Sequence, residues 1–137
     1  MLLDKVKKYY DAKTYDLNCA ETMLYAVNEE YNLNLSVDTY KSVAAFGGGM
    51  GIEGVCGALT GALAALGILY TDEKAHQSPL VKELTIEFIN KFEQELNSSN
   101  CRELKKNYRN DEIRCKVIVE KTAEILEDII KKNKFKS

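Results

Sequence analysis

Hydrophobic residues recur along this chain at the three- and four-residue spacing of α-helices. The spacing is clearest in three sets: Met23, Leu24, Val27 and Tyr31; Leu80, Leu84, Phe88, Phe92 and Leu96; Ile118, Thr122, Ile125 and Ile129. Alternation typical of β-strands is nowhere sustained. Ser36 and the Ser78–Pro79 pair supply helix starts, and Gly47 supplies a stop. The pattern predicts helices over 2–13, 19–31, 37–46, 55–69, 79–97, 101–108 and 111–133.

These elements predict an all-α fold. We expect one domain, residues 1–137, built as a bundle of six to seven helices around a central glycine-rich helix. A chain of 137 residues that is 45% hydrophobic and 29% charged can bury one core. The uncharged run 54–70 is only as long as the shortest membrane spans, about 17 residues. Because it is rich in glycine, it predicts the buried central helix and no membrane span.

The net charge of the chain limits the classes of macromolecule that it is expected to bind. A formal net charge of -2 and a pI near 5.5 give no general attraction to nucleic acid or to anionic membranes. Asp4, Lys5, Lys7 and Lys8 stand where a signal peptide needs its apolar segment, so we expect an unprocessed cytoplasmic protein. The sequence is compatible with a homodimer and does not identify a redox partner.

The stretch GGGMGIEGVCGALTG, residues 47–61, contains a dinucleotide-like G-x-G-x-x-G at Gly49, Gly51 and Gly54. That motif binds phosphate only where it follows a buried parallel strand. The preceding VDTYKSVAAF is polar and has a serine cap, so we predict no nucleotide site. The glycines instead allow a sharp reversal and close backbone approach, and the stripe Gly57, Gly61 and Ala65 lets a neighbouring helix pack closely.

The four cysteines all fall near predicted helix starts. NCAE at 18–21 and NCRE at 100–103 each have an N-cap asparagine with glutamate three residues later, the capping-box arrangement, which places Cys19 and Cys101 at first helical positions. Cys56 begins the central helix, and Cys115 lies in the first turn or so of the last. Each helix dipole contributes about 0.3 to 1 kcal/mol toward the thiolate, less than one pKa unit.

Spacing leaves the chemistry of these cysteines open. With no C-x-x-C and no C-x-x-C-H, the chain has no zinc knuckle, thioredoxin-type dithiol, ferredoxin run or covalent haem motif. Tertiary structure would have to gather the ligands, one from each helix start. A thiolate-bound metal cluster, a redox thiol pair and four buried apolar side chains all remain possible interpretations.

Cys19, the CGALTG segment 56–61, Cys101 and Cys115 together resemble the C-GCAxxG-C-C family of redox-active proteins, whose central motif is CGAxxG. The resemblance covers nearly the whole chain and implies a redox role, as an oxidoreductase or an electron carrier. With it, we expect Cys19, Cys56, Cys101 and Cys115 to bind a metal cluster, [2Fe–2S] or another thiolate-bound centre. Gly54 and Gly57 would let backbone N–H groups approach the cofactor.

Two alternatives stay open. In the first, Cys56 and one of Cys19, Cys101 or Cys115 carry out thiol–disulfide chemistry without metal. In the second, the protein is a helical interaction module whose glycine stripe packs a partner and whose cysteines are inert. Glu53 could tune a cluster or move a proton, but a charge at a helix start needs no such role.

Overall fold

The computed structural model of the chain describes residues 1–135, and it confirms the all-α prediction. Seven α-helices occur in this range, and the only β-type pairings there are two isolated bridges. The helices are α1 Leu2–Tyr9, α2 Cys19–Tyr31, α3 Val37–Lys41, α4 Gly57–Tyr70, α5 Pro79–Leu96, α6 Cys101–Tyr108 and α7 Lys116–Lys132. Short 3-10 turns span Ala44–Phe46 and Ala75–Gln77, and a π-type turn spans Gly49–Glu53.

The glycine-rich helix α4 lies at the centre of the bundle, as predicted. It packs against α2, α5 and α7, and nine of its residues are buried. The largest side chains around it are fully buried, among them Met23, Leu24, Phe88, Phe92 and Leu126. Within residues 1–135, no helix has the length and apolar character needed to cross a membrane.

Two predicted helices begin or end at different residues because side chains compete for the backbone. The first helix ends at Tyr9 and does not reach residue 13, since the Asp11 carboxylate accepts the N–H groups of Lys13 and Thr14 and forms a turn. The last helix begins at Lys116 and not at 111, because the Asn110 side chain accepts two N–H groups in the same way. Cys115 therefore precedes α7 as its N-cap residue.

The predicted helix 37–46 is also shorter. It ends at Lys41, and a 3-10 turn over Ala44–Phe46 carries the chain to the glycines. Gly48, Gly49 and Gly51 then adopt positive φ angles, which L side chains rarely tolerate. This segment reverses the chain between α3 and α4, beside the start of α6.

Candidate functional site

The four cysteines meet at one end of the bundle. Cys19 and Cys101 are the first residues of α2 and α6, whereas Cys56 and Cys115 are the N-cap residues of α4 and α7. All four line one cavity of about 140 Å³. Cys19 is half-buried and the other three are buried. Four helix N-termini thus converge on one set of thiols.

A short backbone pairing joins the starts of α4 and α6. Val55 and Asn100 form an isolated antiparallel bridge. The Cys56 N–H donates to the Ser99 carbonyl oxygen at 2.8 Å, and the Cys101 N–H donates to the carbonyl oxygen of Gly54. This register fixes Cys56 and Cys101 beside each other, although 44 residues separate them in the sequence.

The asparagine of each NC-x-E motif has two functions. Its side-chain oxygen caps the helix: Asn18 accepts from the Glu21 N–H at 2.8 Å, and Asn100 accepts from the Glu103 N–H at 3.1 Å. Its amide NH₂ donates to the glycine-rich connection, from Asn18 to the Ala44 carbonyl at 3.0 Å and from Asn100 to the Glu53 carbonyl at 3.4 Å. The motifs therefore hold that connection near its two ends.

Only the first motif forms the full capping box that we predicted. At α2 the Glu21 carboxylate accepts the Asn18 N–H at 2.9 Å, which completes the reciprocal pair. At α6 the Asn100 N–H donates to the Ser98 hydroxyl at 3.0 Å and not to Glu103. The hydroxyl two residues upstream takes the place of the glutamate.

The glycines let backbone lie directly on the cysteines. A Cβ atom at Gly49 would stand 2.7 Å from the Cys101 Cβ and 2.5 Å from the Gly54 nitrogen. A Cβ at Gly57 would stand 3.0 Å from the Phe46 carbonyl oxygen. A side chain at Gly49 or Gly57 would have to displace backbone or a cysteine.

The two glycines that we predicted to face a cofactor have different positions. Gly57 lines the cavity. Gly54 does not line the cavity. Its N–H donates to the Gly49 carbonyl at 2.9 Å, and its own carbonyl accepts from the Cys101 N–H. Gly54 thus positions the start of α6, and Gly48 lines the cavity in addition to Gly57.

Tyr10 was not predicted as a site residue. It follows α1 and lines the cavity, where its hydroxyl oxygen accepts the Cys115 N–H at 3.0 Å. The guanidinium of Arg114 lies 4.5 Å from the centre of its ring. Sequence spacing indicated only a tyrosine on a helical face, and no local signal relates Tyr10 to a cysteine 105 residues away.

Burial opposes ionisation at all four thiols, and it is the main cause of the raised pKa at Cys56 and Cys101. It raises the pKa of Cys56 to about 11, although the N–H groups of Leu59 and Ala58 act in the opposite direction. Burial is also the main reason that the pKa of Cys101 is raised. The small effect of a helix N-terminus is therefore outweighed at these positions.

The Cys19 and Cys115 thiols line the same cavity and affect each other's ionisation. Their interaction raises the pKa of Cys19 well above its ordinary value and lowers the pKa of Cys115. Arg109, Lys105 and the Tyr10 hydroxyl further favour the Cys115 thiolate. Of the two thiols, Cys115 therefore ionises more readily.

Three cations surround the thiols, because Lys105, Arg109 and Arg114 also line the cavity. Their charge compensates part of the negative charge that thiolates would bring to the site. In residues 1–135, no three His, Cys, Asp or Glu side chains are grouped as ligands around a single metal ion. The thiols surround a space and do not meet at a point.

A family model described as "Putative redox-active protein (C_GCAxxG_C_C)" matches residues 17–129. The chain belongs to this family. The matched C-GCAxxG-C-C region includes all four cysteines, whereas α1 and Tyr10 lie outside it. No curated protein and no solved structure matches the chain.

Proposed function

We propose that this C-GCAxxG-C-C protein is a cytoplasmic electron carrier in which Cys19, Cys56, Cys101 and Cys115 bind an iron–sulfur cluster, specifically [2Fe–2S]. The observation that carries the proposal is that one cavity of about 140 Å³ is lined by all four thiols. If the cysteines were inert side chains of a packed core, nothing would require all four of them to line one cavity.

The donor set fits this group. Four thiolates are the usual ligands of an iron–sulfur cluster, and a cluster, unlike a single ion, needs space between them. The cluster would supply one-electron transfer. Lys105, Arg109 and Arg114 offset the negative charge of the thiolates, while the backbone pairing at Cys56 and Cys101 fixes two ligands before any metal arrives.

Metal-free thiol–disulfide chemistry is a second candidate, favoured by Cys19 and Cys115, because both thiols line the cavity and their interaction raises the pKa of Cys19 and lowers that of Cys115. Oxidation would form a disulfide between these two sulfurs and release two protons and two electrons to an acceptor disulfide, which is reduced to two thiols. This interaction favours Cys19 with Cys115 over the pairs containing Cys56 that we expected from sequence.

One set of proteins separates the two candidates. The protein is purified without oxygen, and its visible spectrum, iron, acid-labile sulfide and free thiols are measured. The cluster proposal predicts a coloured protein with equal amounts of iron and sulfide, and loss of both in Cys56→Ser and in Cys115→Ser. Helical content, from circular dichroism, should stay near that of the parent in both variants.

The thiol proposal predicts a different pattern. The parent would be colourless, Cys115→Ser would lose reactivity with a disulfide substrate, and Cys56→Ser would keep it. A colourless protein after anaerobic reconstitution with iron and sulfide would refute the cluster proposal. If its four thiols also reacted slowly and equally, both proposals would be wrong.

A further inference from the structure

Exposed apolar side chains are concentrated in the segment that covers the site. Met50 is 45% exposed, Ile52 72% and Val55 39%. The backbone that presents them is strained, because Met50 and Glu53 adopt left-handed φ angles of 63° and 53° without being glycine. Neither the strain nor the exposure stabilises the fold, which indicates that another requirement maintains them.

The inner side of the same segment touches the thiol site. Gly48 lines the cavity, and the Gly49 backbone lies against Cys101. A molecule bound to Met50 and Ile52 would therefore be separated from the cysteines by this segment. A partner that exchanges electrons with the site would find a short path here.

Positive charge borders the apolar side chains. The Glu53 carboxylate pairs with Arg102 at 3.6 Å and with Lys105 at 3.4 Å, which ties the segment to α6. The Arg102 side chain is 72% exposed. Residues 101–116 contain six Lys and Arg residues but three Asp and Glu, although the whole chain has a net charge of -2. Of these six, Lys105, Arg109 and Arg114 line the cavity and Arg102 lies beside the segment, in a protein that is acidic overall.

We propose that Met50, Ile52 and Val55, bordered by Arg102, form a docking surface for a small acidic one-electron carrier protein. The proposal rests on the electron-transfer function proposed above. In the exchange, one electron would pass from the reduced carrier to a cluster held by the four cysteines, with no bond made or broken. Charge complementarity would accelerate the encounter, and the apolar centre would hold a small, transient interface.

Binding can be tested on the full-length, isotope-labelled protein purified without oxygen. An acidic plant-type [2Fe–2S] ferredoxin is the probe, and a basic cytochrome c is the carrier of opposite charge. We expect ferredoxin to perturb the NMR signals of residues 50–55 and 102, and affinity to fall as salt increases from 50 to 200 mM. These ionic strengths shorten the Debye length from about 14 to about 7 Å.

Matched variants separate docking from general surface effects. Ile52→Ser and Arg102→Glu should each weaken ferredoxin binding about tenfold. Ile86→Ser and Lys82→Glu make the same chemical changes at exposed positions of α5 and should leave affinity within about twofold of the parent.

Three results of the binding measurements would overturn the proposal: no binding of ferredoxin at low salt, tighter binding of cytochrome c, or equal effects of Ile52→Ser and Ile86→Ser. Concentration-dependent shifts of the same signals in the protein alone would assign the surface to self-association and would also overturn it. Iron is assayed in the same samples. If the protein stayed iron-free after anaerobic reconstitution with iron and sulfide and still bound ferredoxin at this surface, the docking surface would stand and the cluster would be refuted.

Discussion

At the scale of single residues, the hydroxyl of Tyr10 is the site group with the clearest individual effect. We expect Tyr10→Phe to lower the free energy of unfolding by about 1 kcal/mol, because the Cys115 N–H loses its acceptor. Hydrogen exchange of the Cys115 amide should become faster. In cluster-loaded protein, the midpoint potential should become more negative, since the Tyr10 hydroxyl that favours negative charge on Cys115 is removed.

Tyr15→Phe is the matched control, because Tyr15 packs on Tyr9 with ring centres 4.8 Å apart and does not line the cavity. It should leave the Cys115 amide and the potential unchanged. If the two variants had the same exchange rate at Cys115, the hydroxyl of Tyr10 would have no role in holding that residue.

Cys19 and Cys101 could be placed from local sequence, whereas the neighbours of the cysteines in space could not. Asn18 and Asn100 are predicted as N-cap residues, and the structure has them as N-cap residues. These caps place Cys19 and Cys101 at the starts of α2 and α6. Caps are local, since donor and acceptor are three residues apart. The contact between Tyr10 and Cys115 depends on how two distant helices pack, and no spacing along the chain encodes it.

At the scale of elements, the stripe of small residues on α4 sets how closely α2 approaches. A Cβ atom at Gly61 would lie 2.7 Å from the Ala20 Cα and its carbonyl oxygen. Gly61→Ala should therefore force α2 and α4 apart and destabilise the protein by about 1 to 3 kcal/mol, measured by urea unfolding. Because Cys19 and Cys56 begin these two helices, the same variant should also bind less iron.

Gly67→Ala provides the control on the same helix. Nothing lies within 4 Å of a Cβ at Gly67, so the substitution should stabilise the protein by about 0.5 to 1 kcal/mol through helix propensity alone. A stabilising Gly61→Ala would show that the close approach of the two helices is not needed.

Long helices were predictable because their apolar residues repeat over many turns. The residues at which these helices begin and end were less predictable. Asp11 and Asn110 lie within patterns that could continue as helix, yet their side chains capture backbone N–H groups and form turns. The error at Asn110 mattered for the site, since it moved Cys115 from the first turn of α7 to its N-cap.

At the scale of the whole molecule, α1 connects the two ends of α7. The Leu2 N–H at the start of α1 donates to the buried Glu127 carboxylate at 2.7 Å, near the end of α7. Tyr10, just after α1, reaches Cys115 at the beginning of α7. Helix α1 therefore positions Tyr10 at the site, although the family match does not include α1.

This role of α1 can be tested at the end of the helix that lies far from the cysteines. Glu127→Ala leaves the buried Leu2 N–H without its acceptor and should lower the free energy of unfolding by about 1 to 3 kcal/mol. Glu124→Ala, on the same helix with a side chain 49% exposed, should change it by less than about 0.5 kcal/mol. If α1 positions Tyr10, Glu127→Ala should also accelerate hydrogen exchange of the Cys115 amide, whereas Glu124→Ala should not. Loss of stability with unchanged hydrogen exchange at the Cys115 amide would mean that Tyr10 is held by its local contacts and not by the position of α1.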